Sequence, residues 1–344
     1  MGQEPCLGCI LKRMTMLAPT VLPAETLRAI AEKYGYDAAV IDRPQSGYRN
    51  TSFRFRTTRG DDLNFILYKR EPDVVRLIRR TNALGGYVSE RGLPVRAPVD
   101  ARVLRVGQRY GALYQYLGGE TIPWEAYAMK HIKLLGMAMA RFHAAARGFE
   151  GDLLDIEDVY AAIVLRMSAY FGDANVERAL RDKLGVAVDV PDFMALLDQT
   201  RRLPARAVLH MDLVRSNVLF RGARTGDSFT VGNTTLSGIL DLEKAARGHV
   251  LFDVARSLAF LLVDCAKPEA SVRRYFLESG YRKRGEQNMQ PVRLPSGDML
   301  ESLITLFLTY DFYKFLRQNP YESLPENHHF MRTAAVLRAR KVIQ

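Results

Sequence analysis

Cysteine is scarce in this chain: there are three in 344 residues, Cys6 and Cys9 spaced as CxxC near the start and Cys265 far away in an apolar stretch. No even-numbered disulfide framework can be drawn from that set, which points to a reducing compartment, and one CxxC without a second pair lacks half of a zinc site. Long apolar runs are missing too. The longest, around Ser257 to Val263, lies between Arg256 and Asp264 and falls well short of the roughly 20 residues a spanning helix needs. Nor does the N-terminus have the order of a secretory signal, because the short apolar stretch Cys6 to Leu11 precedes the basic pair Lys12-Arg13. Gly2 is followed by Cys at position 6 rather than Ser or Thr, so a myristoylation pattern is incomplete. Met14 or Met16 would serve as well as Met1 for a start. These absences together predict a cytoplasmic protein with no membrane attachment.

With 48% hydrophobic and 25% charged residues, the composition is that of ordinary globular material, and the length suffices for two domains or one domain of two lobes. A formal charge of +11 and a pI near 9.6 favour anionic partners, nucleotides and nucleic acid alike. Nucleic acid is disfavoured, because Lys and Arg do not cluster among aromatics along one face. The triplet Arg282-Lys283-Arg284 and the terminal Arg338, Arg340 and Lys341 read as solvated helix faces or loops. No internal repeat or low-complexity tract occurs.

Along the chain, Pro23 to Tyr34 reads as a short amphipathic helix with Leu27, Ile30, Ala31 and Tyr34 on one face. Strand-like segments follow at Thr51 to Thr57, Asn64 to Tyr68, Arg102 to Val106 and Ala112 to Leu117, set apart by turn signals such as Arg59-Gly60-Asp61-Asp62 and Gly107-Gln108. Between the second and third lies a helical stretch, Asp73 to Glu90, which Gly85-Gly86 should interrupt. The pattern predicts an antiparallel sheet with one inserted helix. After Gly118-Gly119 it changes to long helices. The first carries Ile132, Leu135, Gly136, Met139, Phe142 and His143 at spacings of three and four, a buried stripe with a small residue where another helix can approach. His143 on that stripe reads first as a hydrogen-bonded core histidine. The expected divisions are a tail over 1–22, a small lobe over 23–118 and a larger helical lobe over 119–344.

A strand-loop-strand region in the larger part holds the chemistry. Transfer of a γ-phosphoryl group needs a carboxylate to orient the acceptor hydroxyl, oxygen ligands for magnesium, and cations along the phosphates. Asp212 follows the apolar Ala207-Val208-Leu209, where its carboxylate can receive a hydroxyl proton. Asn217 precedes the strand Val218-Leu219-Phe220 and offers a neutral amide oxygen to a metal ion. Asp241 ends the strand Gly238-Ile239-Leu240, and Glu243 is a further oxygen ligand two residues on. Asp and Asn are common in turns, so no one of these residues decides the matter. Their joint order does: His-x-Asp, four spacers, Asn, two apolar strands, Asp-x-Glu, then Asp253 opening a helix.

His210 to Phe220 together with Gly238 to Asp253 resembles the Brenner-type and metal-binding motifs of the aminoglycoside phosphotransferase and choline kinase superfamily, with Met211 where that family usually has glycine. The resemblance implies an α+β, protein-kinase-like bilobal fold with a small antiparallel-sheet N-lobe and a mainly helical C-lobe. It implies an enzyme that uses ATP and Mg2+, with Asp212 as catalytic base, Asn217 and Asp241 as magnesium ligands, Glu243 as an auxiliary acid, and His210 and Asp253 as supports of the loop. In the N-terminal part Gly47-Tyr48-Arg49-Asn50 is similar to the family's loop over the nucleotide. Lys69 stands where the family's phosphate-contacting strand lysine would be, and Gln115 to Leu117 where adenine would be hydrogen-bonded. The helix after Lys69 should then supply a pairing glutamate, but Arg80, Thr81 and Asn82 occupy that neighbourhood.

For the acceptor, residues 265–344 are net basic and carry Tyr275, Phe276, Phe307, Tyr310, Phe312 and Tyr313, a poor match for a polycationic aminoglycoside. Leu236 to Cys265 also resembles bacterial homoserine kinases of the superfamily. An amino-acid or amino-alcohol hydroxyl therefore ranks first, an aminoglycoside or other antibiotic second, a sugar third. A non-catalytic nucleotide-binding scaffold of the same fold would not need Asp212, Asn217 and Asp241 together. Oligomeric state is not legible.

Overall fold

The computed structural model describes residues 21–46, 50–123, 126–222, 224–225, 228–229, 231–265, 267–283 and 297–344. They form two compact units. The first holds the described residues up to Ser89 with Arg96–Leu117, and the second holds Glu90–Val95 with the described residues from Gly118 onward. No helix among the described residues is long and apolar enough to cross a membrane.

The first unit is a six-stranded antiparallel sheet with two helices. Helix α1 (Ala24–Lys33) buries Leu27, Ile30 and Ala31, the stripe expected from the 3.6-residue period. Strands β1 (Ala38–Ile41), β2 (Gln45–Ser46), β3 (Thr51–Thr57), β4 (Asp62–Leu67), β5 (Leu104–Val106) and β6 (Arg109–Gln115) run in the spatial order β1-β3-β4-β6-β5, with β2 also on β3. β3 alternates buried and less buried residues, as a half-covered strand must. β4 is nearly continuously buried because it lies between β3 and β6 and has side chains packed on both faces. Leu63, Phe65 and Leu67 join Leu27 and Ile30 on one face, while Ile66 and Tyr68 join Ile78 on the other. Ile78 belongs to α2 (Val74–Glu90), which runs through Gly85 and Gly86 without the expected interruption. Each glycine costs about 1 kcal/mol of helix propensity, and the buried Ile78, Leu84 and Val88 outweigh it. β1, at four residues without apolar-polar alternation, and β2, at two, are too short to be legible as strands.

The second unit is mainly helical: α3 (Met129–Ala145), α4 (Ile156–Phe171), α5 (Ala174–Leu184), α6 (Phe193–Arg201), α7 (Leu251–Asp264), α8 (Glu269–Arg273, continued by a π-helical turn to Arg282), α9 (Gly297–Gln318) and α10 (His328–Ala339). α3 packs on the π-helical turn at the predicted small residue. A Cβ on Gly136 would lie 2.2 Å from the Phe276 carbonyl oxygen, so no larger residue fits without moving the backbone. Short hairpins are set among these helices. β7 (Ala207–Leu209) pairs with β12 (Ala246–Gly248), and β8 (Val218–Arg221) with β11 (Thr235–Ile239). β9 (Arg224–Thr225) pairs with β10 (Ser228–Phe229) in the extension of the β8–β11 hairpin. β12, Ala-Arg-Gly, is as short as β7 but lacks its apolar run, so it does not stand out in the sequence.

Candidate active site

β7 and β11 carry the two motif segments to one place. His210, directly after β7, is completely buried and ties them together. Its Nε2 lies 3.1 Å from the carbonyl of Leu240, the residue before Asp241, and its Nδ1 accepts the Asp212 N–H at 3.2 Å. Those partners require the hydrogen on Nε2 and leave Nδ1 as the acceptor. A second tie is the Leu240 N–H donating to the Asn217 carbonyl at 2.8 Å.

The loop has left-handed backbone at two non-glycine residues, Met211 with φ 61° and Asp241 with φ 57°. Such a conformation costs of order 1 kcal/mol per residue and persists only where neighbours hold it. Asp253, in the first turn of α7, is the holder for Met211. Its Oδ1 accepts the Met211 N–H at 2.6 Å, and its Oδ2 accepts the His210 N–H at 2.7 Å and faces His143 Nε2 at 2.8 Å. His143 Nδ1 meets the Tyr281 hydroxyl at 2.9 Å. Burial would push the Asp253 carboxyl up, but the hydrogen bond from His143 and the fields of His143 and His210 outweigh it and hold the group below the usual carboxylate range. The glycine that the family motif usually has after the histidine would adopt this turn without strain. Here Met211 adopts it, its side chain buried to 3% exposure.

Asp212 is partly covered, and both its oxygens have donors. Asn217 Nδ2 lies 3.1 Å from Oδ2 and 2.9 Å from the Asp212 carbonyl, and Lys244 Nζ lies 2.9 Å from Oδ1. With its amide nitrogen committed, Asn217 turns its Oδ1 away from Asp212, as a metal ligand would need. Asp241 Oδ1 is capped by the Glu243 N–H at 3.3 Å. Among the described residues no three His, Cys, Asp or Glu side chains form a ready-made metal cage. Asn217, Asp241 and Glu243 are hard oxygen donors, which suit magnesium, an ion that takes few protein ligands and completes its shell with phosphate oxygens and water.

Beside this loop lies a charged group that sequence reasoning did not assemble. Arg256, at the flank of the apolar run, is buried within α7 and pairs with buried Asp311 of α9 at 2.9 Å. Lys314 Nζ lies 2.7 Å from the same carboxylate. Signals were there in retrospect: a lysine four residues after Tyr310 on an apolar stripe, and a lysine following Asp-x-Glu.

In the sheet unit, the Asn50 side-chain oxygen accepts the Lys69 N–H at 3.0 Å, and Lys69 Nζ lies 3.9 Å from Glu71. Glu71 precedes α2, so Lys69 has an acidic neighbour that is not the expected helix glutamate. At the helix position, buried Asn82 accepts from the Tyr114 hydroxyl at 2.7 Å instead. The N–H groups of Gln115 and Tyr116 are engaged by Ala97 and Asp62 carbonyls at 3.0 and 3.1 Å, so an adenine contact through them would compete with the sheet, and the Leu117 backbone comes next. Gly47 lies outside the described residues, as do Cys6 and Cys9.

The chain matches the sequence model of APH, the phosphotransferase enzyme family, over residues 40–291. It is 27% identical over 252 residues to a homoserine kinase of Methylobacillus flagellatus, covering 70% of this chain and 71% of that one. To a homoserine kinase of Methylobacterium radiotolerans it is 30% identical over 217 residues, 61% of this chain and 60% of the other. Among solved structures, the macrolide 2'-phosphotransferase of Brachybacterium faecium superposes with a TM-score of 0.55 at 19% identity, covering 91% and 98% of the two chains. A microcompartment-associated aminopropanol kinase gives 0.55 at 14%, covering 92% and 98%. An amicoumacin kinase bound to AMP-PNP and Ca2+ gives 0.58 at 12%, covering 95% and 93%. At these identities the solved structures speak to the fold, which is protein-kinase-like.

Proposed function

This chain belongs to the APH phosphotransferase enzyme family and is a small-molecule kinase, and from that premise we propose that it moves the γ-phosphoryl group of ATP, with magnesium, to a hydroxyl of a small amino acid or amino alcohol of the homoserine type. The observation that carries the reading is the joint geometry of Asp212 and Asn217, whose side chains meet at 3.1 Å while both are tied through His210 and Leu240 to the start of the Asp241 turn.

In this reading Asp212 accepts the proton of the acceptor hydroxyl as its oxygen attacks phosphorus. Oδ1 is now shared with Lys244, whose side chain is 57% exposed on a flexible stem. Lys244 is therefore the partner that can give way to the incoming hydroxyl, while Asn217 stays to orient the carboxylate. Asn217 Oδ1 and Asp241, with Glu243 behind, would hold magnesium, which when bound offsets the charge on the phosphate oxygens. Asn50, Lys69, Leu117 and the backbone near Gln115 are the proposed nucleotide contacts of the sheet unit, with Lys69 supplying positive charge for phosphate. The homoserine kinase names among the relatives and the net-basic helices of the second unit support a metabolite over a polycationic antibiotic.

The test is ADP release by the purified chain with ATP and magnesium against homoserine, choline, ethanolamine, methylthioribose, hydroxylysine and kanamycin. Turnover of homoserine or another amino-acid or amino-alcohol acceptor is expected. Turnover of kanamycin alone would replace this reading with antibiotic modification.

A further inference from the structure

We propose that the acceptor of this chain carries a carboxylate, and that the Lys314 ammonium, held in place by Asp311, receives it. The proposal rests on the reading of Asp212 as the group that takes the acceptor's proton.

Two helices bring the cation to the catalytic loop. α7 is fastened to the loop itself, since the Ser257 hydroxyl donates to the Leu213 carbonyl at 3.0 Å, and Leu213 is the residue after Asp212. The residue before that serine is Arg256. Its guanidinium grips Asp311 with both arms, Nη1 to Oδ2 at 2.9 Å and Nη2 to Oδ1 at 3.3 Å, and stacks over Phe260 at 4.1 Å. Asp311 thereby anchors α9 against α7. Lys314, one turn further along α9, reaches back to Asp311 Oδ1 at 2.7 Å with its Nζ 4.8 Å from the Tyr310 ring centre.

The charges on this wall do not balance. Among the described residues, two cations, Arg256 and Lys314, share the one carboxylate of Asp311. Arg256 is buried and bidentate and has no freedom to serve a ligand. The Lys314 side chain is 35% exposed, so the surplus positive charge faces the open side. Burial pushes the Lys314 ammonium's affinity for its proton down, and Arg256 and Lys244 push it the same way, while Asp311 opposes them. An anion placed there relieves that strain. The chain of contacts from Leu213 through Ser257 and its neighbour Arg256 to Asp311 and Lys314 puts the lysine on the same side of α7 as the loop that carries the base.

One surplus charge matches a monoanion. A carboxylate satisfies it, whereas a phosphate dianion leaves a negative charge uncompensated and a polycation meets repulsion. The acceptor is thus a hydroxy acid or hydroxy amino acid, its hydroxyl at Asp212 and its carboxylate at Lys314.

The experiment compares L-homoserine with its carboxamide and with aminopropanol, using the full chain with ATP and magnesium. A charge-assisted hydrogen bond lost from a covered site predicts a kcat/KM for homoserine about 30-fold above that of the amide, carried by KM. Lys314→Met should bring that ratio to near one, and Lys314→Arg should restore most of it. If Lys314→Met lowered turnover of homoserine and amide in parallel, the lysine would be only a tie between α7 and α9 and the proposal would fall. Equal use of homoserine and amide by the unaltered chain would overturn the carboxylate site while leaving the kinase reading intact. Turnover of kanamycin with none of the three would overturn both.

Discussion

Replacing Asp253 by asparagine should disable the loop without touching any group that meets substrate. The carboxylate receives three donors: His210 N–H and His143 Nε2 at Oδ2, Met211 N–H at Oδ1. An asparagine oxygen placed at the Oδ2 position keeps the first two but sets its amide NH2 against the Met211 N–H, donor facing donor at a site now spanned by 2.6 Å. One buried N–H is then unmet, and the two bonds that survive lose their charge assistance. Together these cost roughly 2–4 kcal/mol, a large share of the 5–15 kcal/mol that holds a typical domain folded. The same N–H holds Met211 at positive φ. Once released, Met211 relaxes and carries Asp212 with it, and a misplacement of about 1 Å predicts a kcat lower by about 100-fold. Urea unfolding followed by circular dichroism reads the first effect and ADP release the second. Stability within about 0.5 kcal/mol of the parent, together with undiminished kcat, would refute the bracing argument, because surface-like tolerance is incompatible with a buried three-donor carboxylate.

Two further outcomes follow from the same region. Glycine ordinarily destabilises relative to alanine, but Met211→Gly should be more stable than Met211→Ala by about 1 kcal/mol, since both lose the buried side chain and only glycine relieves the positive φ; chemical unfolding of the two variants checks the order. His249 is buried and its ring is pushed down to about 4, by burial first and then by the charges of His143 and Arg206. Its folded value lies below the unfolded 6.5 or so, so the stability it contributes is present above that pH and is lost as pH falls toward 4. Between pH 7 and 5 this amounts to about 2 kcal/mol for one proton. His249→Asn, whose side chain can still accept the Leu251 N–H, should unfold with a correspondingly flatter pH dependence.

Much of this was legible in the sequence because it lives in period and order. The stripes of α1 and α3, the alternation of β3 and the run of β4 follow from burial on one face or two, and Gly136 marked a close approach that the π-helical turn fills. The order from His210 to Glu243 was readable for the same reason, since loop chemistry there is set by near neighbours in sequence. What escaped was long-range. Arg256, Asp311 and Lys314 are brought together only by the packing of α7 on α9, and even Lys314 on its apolar stripe does not reveal its partners in the sequence. The continuity of α2 through Gly85-Gly86 escaped because propensity is a weak local term that buried Leu84 and Val88 override. Met211 stands where the family motif usually has glycine, and three donors on one buried carboxylate supply the constraint that glycine would have made unnecessary.

The measurement that bears most directly on the central claim is the turnover of Asp212→Asn on the best acceptor of the panel. Asparagine keeps the shape and the contact with Asn217 but is not a base that can take the acceptor's proton. With the base removed, kcat should fall by about 100-fold or more, with the unfolding midpoint little changed. Full turnover by this variant would contradict the assignment of Asp212 as the base and, with it, the proposed mechanism.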